Sequence, residues 1–71
     1  MILKRMRALL EQSKQDAFEG DYEAVHINED AMLWIFVEAV KERTASWHDL
    51  KEAARLCEES RLLLPNKRYW A

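Results

Sequence analysis

Apolar positions recur along this chain with the period of an α-helix. Ile2, Leu3, Met6, Leu9, Leu10, Ser13 and Ala17 fall within an arc of ~120° when wound at 3.6 residues per turn. That spacing predicts a first helix over about residues 2–19. Gly20 is its natural stop, because glycine accepts the left-handed conformation that closes many helices. Residues 21–27 then read as a connector, with room for a short helical turn over 22–25.

The densest apolar stretch is Met32, Leu33, Trp34, Ile35, Phe36 and Val37, without a break. Asn28 is a good N-cap before it, and Glu29 and Asp30 stand where a helix dipole favours negative charge. A second helix over about 29–43 follows. On it Met32, Leu33, Ile35, Phe36, Val37, Ala39 and Val40 cover an arc of ~200°, about twice an ordinary core stripe. Trp34 lies beyond the arc, beside Glu38 and Lys41. Ile, Val, Phe and Trp also favour strands, but the cap at one end and the charged residues 38–43 at the other select helix.

Ser46-Trp47-His48-Asp49 has the pattern of a capping box and opens a third helix over about 46–64, stopped by Pro65. Trp47, Leu50, Ala54, Cys57, Arg61 and Leu64 follow a 3-4-3-4-3 spacing, that of a packing seam. Leu56 and Leu63 form a second, smaller stripe. Residues 65–71 read as a tail unless Tyr69 and Trp70 pin it to the bundle. No internal repeat or low-complexity tract is visible.

The fold class expected is all-α, a single domain over 1–71 built as a small three-helix bundle or kinked helical hairpin and paired as a homodimer. Pairing follows from size. A 71-residue chain buries only ~60% of its unfolded surface, so its own core is marginal. Disulfides, a structural metal and oligomerisation are the usual remedies, and Cys57 is the single cysteine. The oligomer and core interface is therefore assigned to Met32, Leu33, Phe36, Val37, Val40, Leu56 and Leu63. A composition that is 49% hydrophobic is too apolar for a disordered chain.

Charge narrows the partners. A net charge of −2 and a pI near 5.6 give no overall attraction for nucleic acid or anionic lipid. Lys4, Arg5 and Arg7 make the start basic, as Lys67 and Arg68 do the end, while Glu11, Asp16, Glu19, Asp21, Glu23, Glu29 and Asp30 face Lys14 alone between residues 11 and 30. That acidic belt reads as a solvated face. The apolar run 31–40 contains Glu38 and is far short of the ~20 residues that span a bilayer. Ile2-Leu3 is too short for a signal peptide. A soluble cytoplasmic protein is expected, with no membrane partner.

Little here carries chemistry. Cys57 falls in the seam and reads as a structural thiol. His48, in the first turn of the third helix, reads as a surface residue. Glu23-Ala24-Val25-His26 has the Glu-x-x-His spacing of di-iron bundles but falls in the connector, so no metal ligand is assigned. One glycine and one cysteine make neither a phosphate loop nor a paired-cysteine zinc site. No catalytic residue and no cofactor are expected. Glu52-Ala53-Ala54-Arg55-Leu56, followed by Ser60-Arg61, resembles helix-turn-helix regulators of the excisionase type, over about ten residues. The resemblance implies a turn after Leu56 and a DNA-reading helix beyond it. Cys57 stands where those proteins carry the turn glycine, and Pro65 would shorten the second helix.

Trp34, Trp47 and Trp70 remain, and tryptophan is enriched at interface hot spots. Trp47 and Trp70 have places in the bundle, whereas Trp34 falls outside the core arc. With Glu38 and Lys41 as a polar rim it is the expected partner-binding site. Packing of Trp34 against Phe18 or Tyr22 is the competing arrangement. The function expected is that of a non-enzymatic interaction module, a small regulator or inhibitor of phage or mobile-element type that occupies another protein's surface. A DNA-binding regulator is the alternative, though nucleic acid is not the expected partner.

Overall fold

The computed structural model describes residues 2–64 and is all-α, with no strand among those residues. Helix α1 spans Ile2–Phe18, α2 spans Tyr22–Glu42 and α3 spans Trp47–Arg61. Each helix packs against both of the others. The tail 65–71, with Tyr69 and Trp70, lies outside the described residues.

Gly20 ends α1 as its sequence requires, with a φ of +79° and an amide that donates to the Ala17 carbonyl at 3.0 Å. The second helix, however, starts seven residues earlier than the expected 29. Asp21 is the N-cap, its carboxylate accepting from the Ala24 amide at 3.2 Å. No glycine or proline interrupts residues 22–42, so once capped the helix continues. Val25 is fully buried in the segment expected to be a connector. Asn28 is not a cap: its side-chain amide donates to Asp16 Oδ2 at 3.0 Å and ties α2 to α1. Glu29 consequently lies within the helix, and it is buried.

Helix α2 ends at Arg43, which adopts a left-handed φ of 54°, a conformation that costs a residue with a Cβ roughly 1–2 kcal/mol. Ser46 then caps α3 as expected, its hydroxyl accepting from the Asp49 amide at 3.1 Å. Helix α3 closes at Arg61, and the chain turns through i→i+3 hydrogen bonds to Leu63 and Leu64.

The core consists of Met6, Leu10, Met32, Ala53 and Leu56, with Ile2, Leu3, Leu9, Ile35, Phe36, Cys57 and Leu63 packed around it. On α3 this overturns the expected seam. Trp47 is 76% exposed, Ala54 and Arg61 are exposed, and Leu50, Cys57 and Leu64 are half-buried. The buried positions are Ala53, Leu56 and Ser60, followed by the partly buried Leu63. That set has the same 3-4-3 spacing set back by one residue, a rotation of roughly 100°. Ala53 and Ser60 are small, which lets neighbouring helices approach closely, whereas Trp47 and Arg61 are too large for that role.

On α2 the fully buried stripe is narrow. Val25, Met32 and Ala39 recur every seven residues with at most 5% exposure. Ile35 and Phe36 widen it. Leu33, Val37 and Val40 stay 39–47% exposed, so the bundle covers only part of the ~200° arc.

Candidate interaction surfaces

Two surfaces flank α2, one on its α3 side and one on its α1 side. On the α3 side a shallow pocket of about 200 Å³ is lined by Leu33 and Phe36 of α2 and Ala54 and Cys57 of α3. Glu29 and Arg61 also line it, and their 3.5 Å ion pair joins the first half of α2 to the end of α3. This pairing makes the two helices antiparallel, which the four-residue connection 43–46 requires. Val37 and Val40 continue the α2 stripe beside Leu33 and Phe36 at helical spacing. Trp47, Leu50, Ala54 and Cys57 do the same on α3. The expected interface residues thus divide: Met32 and Leu56 are buried in the core, Phe36 and Leu63 pack at its edge, and Leu33, Val37 and Val40 face outward.

Glu29 caps the far end of this surface. Its side chain is almost wholly buried, with one carboxylate oxygen 3.5 Å from Arg61 Nε and the other 3.7 Å from His26 Nδ1. Burial and the nearby Glu29 carboxylate push the Cys57 thiol pKa up, with Arg61 opposing them. The thiol is therefore held protonated, consistent with a structural rather than a nucleophilic cysteine.

On the α1 side, an open groove of about 400 Å³ is lined by Ile2 and Arg5 of α1, Trp34, Glu38 and Glu42 of α2, and Asp49 of α3. Trp34 and Glu38 thus meet in one site. Lys41 is exposed but does not line the groove, and the cation that does is Arg5. Sequence reading placed Arg5 only in a basic amino terminus, because nothing in the spacing reveals that α1 begins beside the end of α2. Trp34 is 65% exposed and Phe18 is 88% exposed, so the two do not bury each other.

The helix-turn-helix resemblance fails at its central element. Helix α3 runs unbroken from Trp47 to Arg61, with Cys57 inside it and no turn after Leu56. Arg55, which that motif would offer to DNA, is held by Glu52 and by Glu59, the latter at 2.9 Å. Hydrogen bonding to Arg55 lowers the Glu52 pKa. Most of the acidic belt is likewise exposed, with local pairs such as Lys14 with Glu11 at 3.1 Å and Gln15 with Glu19 at 2.9 Å, whereas Glu29 is buried and Asp16 is tied to Asn28. His48 is exposed. Glu23 and His26 lie on one helix, and among the described residues no three His, Cys, Asp or Glu side chains gather to hold a metal ion. No described helix is long and apolar enough to cross a membrane.

No family model, curated protein or solved structure matches this chain.

Proposed function

We propose that this protein is a non-enzymatic interaction module, a small cytoplasmic regulator that pairs with a second copy of itself and occupies a partner protein's surface. The observation that carries the reading is the set of large apolar side chains left open on α2 and at the start of α3. Leu33, Val37, Val40 and Trp47 are 39%, 43%, 47% and 76% exposed, leaving on the order of 400 Å² of side chain in water. Isolated exposed apolar residues are ordinary, whereas apolar surface of this extent, when gathered in one patch, is often functional.

A homodimer interface is about 65% apolar, so this face implies roughly 600 Å² per subunit and about 1,200 Å² in total. That is the lower end of specific interfaces. Sedimentation equilibrium across micromolar concentrations should show reversible dimers. Val37→Glu places a charge in the middle of the face, where it should abolish pairing and leave the helical content intact. A monomer at every concentration would refute the pairing. The DNA-binding alternative draws no support from an unbroken α3.

A further inference from the structure

The groove on the α1 side differs in character from the apolar face. Trp34 offers an aromatic ring that is 65% exposed, and Glu38, Glu42 and Asp49 line the same groove with one cation, Arg5. Among the described residues none of these three carboxylates is in an ion pair. Glu38 and Glu42 also stand in the last turns of α2, which ends at Glu42, where the helix dipole presents its negative end. A cavity of about 400 Å³ is large enough for one or two long side chains.

We infer that this groove binds an arginine- or lysine-bearing segment of a partner protein, with a cationic side chain over Trp34 and its charge among Glu38, Glu42 and Asp49. The inference rests on the interaction-module reading but not on self-pairing, because the groove is built within one chain. Trp34 supplies cation–π attraction and covers the aliphatic stem of the guest. The unpaired carboxylates supply charge complementarity, which also speeds encounter. Arg5 has the wrong sign for such a guest and weakens its binding. The electrostatic reading therefore makes predictions of opposite sign for residues of one groove.

The test is an NMR titration of the ¹⁵N-labelled full chain with an acetylated, amidated pentapeptide alternating glycine and arginine, beside its glutamate counterpart. The arginine peptide should shift the Trp34 indole signal and the Glu38, Glu42 and Asp49 amides, and the glutamate peptide should not. Trp34→Ala should weaken binding about 2–5-fold. The double variant Glu38→Gln/Glu42→Gln should weaken it by up to about tenfold, and Arg5→Gln should tighten it about 2–3-fold. High salt should remove most of the affinity.

Equal shifts with both peptides, or tighter binding by the double variant, would overturn the inference. So would concentration-dependent shifts of the same amides in the protein alone that vanish in Lys67→Gln/Arg68→Gln, since these would assign the groove to a second copy's tail. Sedimentation of the same samples reads pairing separately, so loss of one property does not masquerade as loss of the other.

Discussion

Ser13 and Ser60 are the most exacting test of how this small core is held together. Both are completely buried, and neither hydroxyl has a hydrogen-bond partner among the described residues. Protein substitution data put the cost of burying an unpaired hydroxyl at about 1–3 kcal/mol. Alanine removes the hydroxyl and is also the better helix former, by about 0.5 kcal/mol. The void left by one oxygen is small, and at the ~24 cal/mol per Å³ seen for cavities it offsets only a few tenths of a kcal/mol. Ser13→Ala and Ser60→Ala should therefore each stabilise the protein by about 1 kcal/mol. For a domain of this size that corresponds to about 4–8 °C in melting temperature.

Urea melts at one fixed protein concentration measure the effect, since pairing makes apparent stability depend on concentration. An unchanged slope would confirm that only stability moved. The double variant should gain the sum within about 0.5 kcal/mol if the two sites act independently. Destabilisation by 1 kcal/mol or more in either single variant would refute the reasoning. It would mean that the hydroxyl is satisfied in solution, by a backbone carbonyl one turn earlier or by a trapped water.

Two further outcomes follow from burial. Phe36→Ala should cost about 2–3 kcal/mol in the same melts, somewhat below the range for a fully buried ring because Phe36 packs at the edge of the core, whereas the exposed His48→Ala should stay within ~0.5 kcal/mol. Equal losses would show that the helical faces are misassigned. Burial raises the Cys57 pKa above its ordinary 9.0, so above about pH 9 the unfolded thiol ionises while the folded one keeps its proton. The unfolded state then binds fewer protons, and stability falls as pH rises through that window. The wild-type melt should lose stability there relative to Cys57→Ala, and a constant difference between the two from pH 7 to pH 10 would contradict the assignment.

Local chemistry made part of this fold legible. Gly20 and Ser46 mark helix ends because each satisfies a backbone requirement within three or four residues of itself. The extent of α1 and the burial of Met6, Leu10 and Met32 followed from helical spacing. The start of α2 did not, because two acceptable N-caps, Asp21 and Asn28, compete. What decides between them is a long-range matter, the burial of Val25 and the bond from Asn28 to Asp16. The face of α3 was also ambiguous. Ala53, Leu56, Ser60 and Leu63 share their spacing with a longer stripe of larger residues one position away, from Trp47 to Leu64. Periodicity ranks that larger stripe first, yet close helix approach selects the smaller residues. Of the groove, Trp34 and Glu38 were legible as neighbours on one helix, but Arg5 and Asp49 come from other helices and only tertiary structure brings them there.

The surplus apolar arc of α2 and the misread stripe of α3 have one physical origin. Helices of 17, 21 and 15 residues enclose a core only a few side chains wide, and the seven-residue stripe Val25, Met32 and Ala39 already fills α2's share of it. The surplus of the α2 arc and the larger α3 stripe are then left outside, and the antiparallel hairpin sets them side by side. A sequence selected only for a monomeric bundle would have polar residues at Leu33, Val37, Val40 and Trp47, since apolar ones there add nothing to the monomer's core and favour aggregation. Their exposure together is the physical ground for expecting a second surface to cover them. Glu38, Glu42 and Asp49, which line the α1-side groove with Trp34, make that groove a poor match for an apolar surface. Val37→Glu should accordingly abolish pairing without weakening binding of the cationic guest, while Trp34→Ala should weaken that binding about 2–5-fold and leave pairing intact.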